Sequence, residues 1–256
     1  IQVVIDGYGD KYRSNDGGFV FSTASVYENK DLVFRSVDKE NQGIIPSLGL
    51  VYNVVAGQLF GLESPHGLDN AGKFMSLQSY GNFDPEFYDK ILSNTDPFPE
   101  GLLQIFDLQL WSDYKGSPEV AENTKLDWIT TVHEYMGDEL VKFFNQFADK
   151  NDRISYSGGV AQNIIWNTKL KKAFPNLVVL PHCADGGLSF GALAMLCEKH
   201  DITLSPIEQY PFCQSDWSPG KPTQKTIDKA AHLLADGEIV GWYQGNGEVG
   251  PRALGN

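Results

Sequence analysis

Apolar residues fall in short blocks early in the chain and in longer, periodic ones later. Ile1–Ile5 is a nearly continuous apolar run and reads as a buried strand, closed by the tight turn Asp6-Gly-Tyr-Gly-Asp10. Gly18–Tyr27 and Asp31–Val37 alternate apolar and polar positions, with Glu28-Asn-Lys between them, so two more strands are expected. Three such strands in sequence make an antiparallel meander. Ile45–Phe60 carries apolar residues on every face and reads as a buried helix, with Ser47 at its N-cap and Gly61 at its stop. Asn82–Lys115, rich in Pro, Asp, Phe and Trp, shows little period and reads as an irregular insertion with short helices. The strongest helical pattern is Glu119–Lys150, with Trp128, Ile129, Val132, Met136, Leu140, Val141, Phe144 and Phe147 near one face. His133 lies among them, and a lone helical histidine reads as packed or solvated.

The pattern then changes to strand, glycine turn and helix, twice over. Asp152–Ser157 is a short apolar strand leading into Gly158-Gly159, and Val160–Ala173 is the helix that follows. Asn176–Leu180 leads through Pro181-His-Cys-Ala-Asp-Gly-Gly187 into a helix over Gly187–Lys199, where Gly191, Ala192 and Ala194 allow close packing. A glycine turn before a helix lets the backbone approach a ligand and aims free N–H groups at it. Two such units side by side would share a crevice at the carboxyl ends of parallel strands. Neither is a GxGxxG or Walker loop, so an ordinary packing role for these glycines stands equally open. Asp201–Pro222, with four prolines, reads as a boundary. A short helix over Thr226–Ala235, a strand over Glu238–Tyr243 and a glycine-rich loop follow.

A meander, a helical stretch and then βαβα define an α/β fold. The order suits one lobe of the actin, sugar-kinase and heat-shock chaperone (ribonuclease H-like) superfamily. The expected domains are 1–203, that lobe, and 204–256, a linker and the start of a second domain. The chain opens inside an apolar run and stops on a glycine-rich loop, which reads as a piece of a longer polypeptide.

Composition narrows the partners. The 256 residues carry a net charge of −13, which argues against nucleic acid or an anionic membrane as the main partner. Cys183, Cys197 and Cys213 are too few and too oddly spaced for a disulfide framework or a zinc site, and read as thiols of a cytoplasmic protein. No apolar run is long enough to span a membrane as a helix. Oligomeric state has no signature here.

Six stretches in order resemble the O-carbamoyltransferases of antibiotic and nodulation-factor biosynthesis. They are Val3-Val-Ile-Asp-Gly-Tyr-Gly-Asp10, Pro46-Ser-Leu-Gly-Leu-Val-Tyr52, Gly72-Lys-Phe-Met-Ser-Leu-Gln-Ser-Tyr-Gly81, Gly158-Gly-Val-Ala-Gln-Asn163, Asp185-Gly-Gly187 with Gly191-Ala192, and Gly241-Trp-Tyr-Gln-Gly-Asn-Gly-Glu-Val-Gly-Pro-Arg-Ala-Leu-Gly-Asn256. The resemblance implies a two-domain enzyme. One domain makes carbamoyl-adenylate from ATP and carbamoyl phosphate. The other passes the carbamoyl group to a hydroxyl of a small-molecule or glycan acceptor, and binds iron or a similar divalent metal.

The same resemblance implies site residues. Gly158, Gly159, Asn163 and Gly186 would hold the adenylate, with Ser47 and Lys73 lining the cleft. Asp6 and Asp185 would ligate the metal, and Arg252 would meet a phosphate in the second domain. The family's metal site also uses two histidines four residues apart, and His66, His133, His182, His200 and His232 provide no such pair. Ser76, Gln78, Gln162, Asn246 and Val249 also depart from the family pattern.

Overall fold

In the computed structural model the described residues are 1–6, 11–13, 19–39, 48–49, 51, 70–96, 105, 122–214 and 220–255. Most of the helix expected over 45–60, including Ser47, and most of the insertion lie outside them. The chain divides into two compact units, Ile1–Cys183 and Ala184–Asn256, a division that falls ahead of the expected boundary at 203/204.

The first unit is built on a six-stranded mixed sheet. β1 (Gln2–Ile5) and β2 (Lys11–Arg13) both run antiparallel to β3 (Phe19–Glu28), β1 beside Ala24–Tyr27 and β2 beside Phe19–Phe21. β4 (Asp31–Lys39) pairs with β3 in antiparallel sense, so the expected meander is present. Asn29 and Lys30 turn the corner between them with positive φ. On the other side of β1 lies β5 (Ile154–Ser157), parallel to it, and then β6 (Leu177–Val179), parallel to β5.

One sheet face is apolar because the registers align its apolar positions. Val3 sits between Val26 and Tyr156, Ile5 beside Ala24, and Ile154 beside Leu177. Among the described residues, α1 (Asn70–Leu77), α2 (Pro85–Asn94) and the long α3 (Glu122–Asn145) each bury side chains in this unit's core. The stripe anticipated on α3 is buried at Trp128, Ile129, Val132, Met136, Leu140 and Phe144. Its C-terminal half meets the sheet through aromatic edges, with Phe144 at 5.2 Å from Tyr156 and Phe143 at 5.5 Å from Phe34, ring centre to ring centre. Its N-terminal half receives Phe74 of α1 and Phe87 of α2. Asp84 caps α2 by accepting from the Phe87 N–H at 3.0 Å, and Pro85 opens the helix.

α4 (Ile164–Ala173) joins β5 to β6 and packs on α3 through Trp166. Contact this close requires Gly137 in mid-α3, where a Cβ would stand 2.9 Å from Trp166 Cδ1.

The second unit contains α5 (Leu188–Lys199) and α6 (Gln224–Ala235), the latter capped by Thr223. The small residues of α5 are exposed, and among the described residues none lies within 4 Å of where a Gly191 Cβ would stand. Glu238–Tyr243, expected as a strand, is irregular: Ile239 is 99% exposed and, among the described residues, no strand pairs with this segment. An isolated strand has no ladder to satisfy its backbone, so alternation of side chains alone cannot make one. Among the described residues no helix is long and apolar enough to cross a membrane.

Candidate functional site

Because β1 and β5 are parallel, their carboxyl ends lie at one edge of the sheet, and the residues following each meet there. Asp6 leaves β1 with its N–H donating to the Thr23 carbonyl at 2.9 Å. Thr23 sits at a register shift between Ser22 and Ala24, so β3 bulges where β1 ends. Bulges of this kind re-aim the neighbouring chain.

Gly158 follows β5 with φ +98°, and a Cβ there would lie 2.1 Å from the Ile5 carbonyl oxygen. Only glycine fits such a contact. Its N–H donates to the Cys183 carbonyl at 2.8 Å, so the segment after β6 is tied to the same place. Gly159 faces Asp6 directly: a Cβ would stand 2.9 Å from Oδ1 of the carboxylate. A single 3-10 turn, Gly159–Gln162, then leads into α4. Asp6 therefore lies against the Gly158-Gly159 turn within the first unit.

Beneath the turn, Tyr156 is fully buried, and its hydroxyl makes no hydrogen bond. Burial first, then the nearby Cys183 and Asp6, push its pKa well above that of free tyrosine.

Asn163 closes the turn. Its Oδ1 accepts from the N–H groups of Ile165 and Trp166, each at 3.0 Å, and its Nδ2 lies 3.2 Å from His133 Nε2. The resemblance offers this amide to a ligand; in the structure it is buried and committed to capping α4 and to His133. His133 is thus the residue that sequence reasoning passed over. Its ring stacks on Trp166 at 4.8 Å, and burial, helped by Lys169, lowers its pKa to about 3. Periodicity placed His133 on the buried face of α3, but nothing in the sequence paired it with Asn163, thirty positions away.

The remaining expected site residues are placed one by one. Lys73 is exposed on α1. In the second unit Asp185 and Gly186 form an exposed 3-10 turn, and Gly186 has nothing within 4 Å of a Cβ position. Arg252 is half-buried, and its Nε is shielded without a hydrogen-bond partner. Asp6 and Asp185 fall in different units, so their expected pairing stays an expectation. Among the described residues no group of three or more His, Cys, Asp or Glu side chains is placed to hold a metal ion. A hard carboxylate oxygen at Asp6 suits a divalent ion as one ligand, and a complete shell needs donors from beyond this group.

Comparison with known proteins gives the family. The family model described as the carbamoyltransferase N-terminus matches residues 15–194. An uncharacterized protein of Methanocaldococcus jannaschii is 25% identical over 98% of this chain and 46% of its own length. Nodulation protein U of Azorhizobium caulinodans is 27% identical over 90% of this chain and 46% of its own. The 3'-hydroxymethylcephem-O-carbamoyltransferase of Streptomyces clavuligerus is 26% identical over 93% of this chain and 50% of its own. The chain spans about half the length of these curated relatives. With the matched region covering the whole glycine turn, both helices that flank it and most of the sheet, the chain belongs to the carbamoyltransferase N-terminus family.

Proposed function

We propose that this chain is the transfer-site portion of an ATP-dependent O-carbamoyltransferase, and that the Gly158-Gly159 turn with Asp6 is its ligand cradle. The observation that carries the reading is the Asp6 carboxylate seated against Gly159 at the carboxyl ends of β1 and β5. Open α/β sheets bind ligands at that edge. The sheet order, a meander beside parallel strands, supports the actin and sugar-kinase lobe as its architecture.

In this reading the free N–H groups at the start of the 3-10 turn approach the phosphate and ribose of a carbamoyl-adenylate, because no side chain intervenes. Asp6 and Asp185 would ligate a divalent ion such as iron, whose chemistry when bound is polarisation of the carbamoyl carbonyl. The acceptor hydroxyl oxygen then bonds to the carbamoyl carbon as the bond to the adenylate oxygen breaks. AMP leaves, and the hydroxyl proton passes to solvent or a base. By the same resemblance Lys73 and Ser47 would contribute to binding this ligand, and Arg252 to binding a phosphate.

The test uses the full-length protein with ATP and carbamoyl phosphate, and mass spectrometry of the products. Carbamoyl-adenylate is expected, with a carbamoylated acceptor when a suitable hydroxyl compound is supplied. A phosphorylated acceptor formed from ATP alone would instead assign phosphoryl transfer. Nucleotide binding with neither product would assign a non-catalytic relative.

A further inference from the structure

The glycine turn is closed by its own backbone, with the Ala161 N–H donating to the Gly158 carbonyl at 3.1 Å and the Asn163 N–H to the Val160 carbonyl at 3.0 Å. Asn167 braces it by donating from Nδ2 to the Ala161 carbonyl at 2.7 Å. The Asn163 side chain adds the link from the turn to α3 and α4. Two backbone N–H donors converge on one end of its amide, which identifies that end as the oxygen. The nitrogen then faces His133 Nε2. An amide nitrogen has protons to give and no lone pair to accept with, so Nε2 must be the acceptor. That fixes His133 as the neutral tautomer with its proton on Nδ1, and the lowered pKa caused by burial runs in the same direction.

The imidazole is itself clamped. Trp166 stacks on one side at 4.8 Å and Phe74 packs at 6.2 Å. The Trp166 indole N–H donates to the His133 carbonyl at 3.0 Å, so ring and backbone of one residue grip α4 together. Gly137, one turn along α3, makes the room for that indole.

We propose that His133 is a positioning residue for the ligand turn: as a hydrogen-bond acceptor from α3 it orients the Asn163 amide, which fixes Gly158–Gln162 over the end of β1. This rests on the reading of that turn as the ligand cradle. His133 touches no ligand and acts only through Asn163.

Two substitutions separate this role from packing. His133→Phe keeps an aromatic ring against Trp166 but removes the acceptor; His133→Gln supplies an acceptor oxygen in place of Nε2. Both are made in the 256-residue chain and checked for fold by circular dichroism. In His133→Phe the Gly158 and Gly159 amides are expected to exchange hydrogen about tenfold faster, and ADP affinity to fall about tenfold. His133→Gln is expected to restore both. Unchanged glycine exchange in His133→Phe, or equal losses in the two variants, would overturn the proposal. If the unmodified chain binds no ADP, the cradle reading fails while glycine exchange still decides the positioning role. A measurement on the unmodified chain covers loss of folding in the variants: a long-range proton–nitrogen spectrum should show His133 protonated at Nδ1 alone, and a proton on Nε2 would refute the arrangement.

Discussion

Gly158 lies so close to Ile5 that a single methyl group on its Cα would sit 2.1 Å from the Ile5 carbonyl oxygen and 2.6 Å from the carbonyl carbon. Both atoms belong to the backbone of β1, in the middle of the sheet, and cannot rotate away. The residue's φ of +98° adds strain for any L side chain. Gly158→Ala should therefore cost at least about 3 kcal/mol. Gly186 stands in the other glycine motif, yet a Cβ there would meet nothing within 4 Å. Gly186→Ala should change stability by less than about 0.5 kcal/mol. Urea denaturation of both variants checks the contrast.

These two glycines mark where the sequence was legible and where it was not. The apolar run Ile1–Ile5 and the apolar stripe of α3 announced strand and helix, because both signals are local. The Gly158 turn could be named as a ligand-site candidate and Asp6 as a carboxylate ligand, and the fold does bring those two together. Their two glycine motifs nevertheless read alike, since sequence shows a missing side chain but not what would collide with one. Glu238–Tyr243 is not a strand for the same reason: pairing is a property of a partner, and none adjoins it among the described residues. His133 was hidden because its meaning comes from a partner thirty residues on.

Gly137 gives a second test of steric necessity, this time against local preference. In an exposed helix, Gly→Ala gains about 1 kcal/mol from helix propensity. Here the new methyl would press on Trp166 Cδ1 at 2.9 Å and Nε1 at 3.0 Å, and that indole is buried and hydrogen-bonded to His133. Overpacking of this kind costs about 1–3 kcal/mol, so Gly137→Ala should lower stability overall. A rise in melting temperature would show that α4 can retreat from α3 freely.

The Tyr156 hydroxyl is buried and makes no hydrogen bond. Removing an unsatisfied polar group from a core relieves its desolvation cost, which is about 1–3 kcal/mol. Its ring contact with Phe144 survives in phenylalanine. Tyr156→Phe should thus be neutral or stabilising by about 1 kcal/mol, as calorimetry can measure. Marked destabilisation would mean that the hydroxyl has a partner such as a bound water.

His133 should make this fold sensitive to acid. Its folded pKa is about 3, whereas an unfolded histidine titrates near its usual 6.5. Between those values the unfolded chain binds a proton that the folded chain refuses, so stability falls as pH drops through that window. The cause is burial first, then Lys169 of α4, whose ammonium is itself paired with Glu134 and Asp138 of α3. The full loss amounts to about 4 kcal/mol on reaching pH 3. His133→Phe should flatten the stability profile between pH 6.5 and 3, beyond what other groups contribute. A profile of unchanged slope in that variant would remove His133 from the account.

Asp6 and Gly159 supply the test that bears on chemistry. The atom a Cβ would approach at Gly159 is Oδ1 of Asp6, a side-chain atom, where the atoms approached at Gly158 are strand backbone. Gly159→Ala should therefore cost less stability than Gly158→Ala, about 1 kcal/mol, because a side chain yields more readily than a strand and the new methyl displaces the carboxylate. A displaced carboxylate loses its place over the turn, so affinity for a divalent ion and for nucleotide should each fall about tenfold. Asp6→Asn leaves the turn's shape intact and removes only the charge. It should weaken the ion far more than the nucleotide, because the N–H groups that would meet the phosphate are untouched. Calorimetric titration of the two variants with manganese and with ADP gives all four numbers. Equal losses of both ligands in Asp6→Asn would instead make the carboxylate part of the nucleotide site. Tight ion binding in Gly159→Ala would place the ion elsewhere.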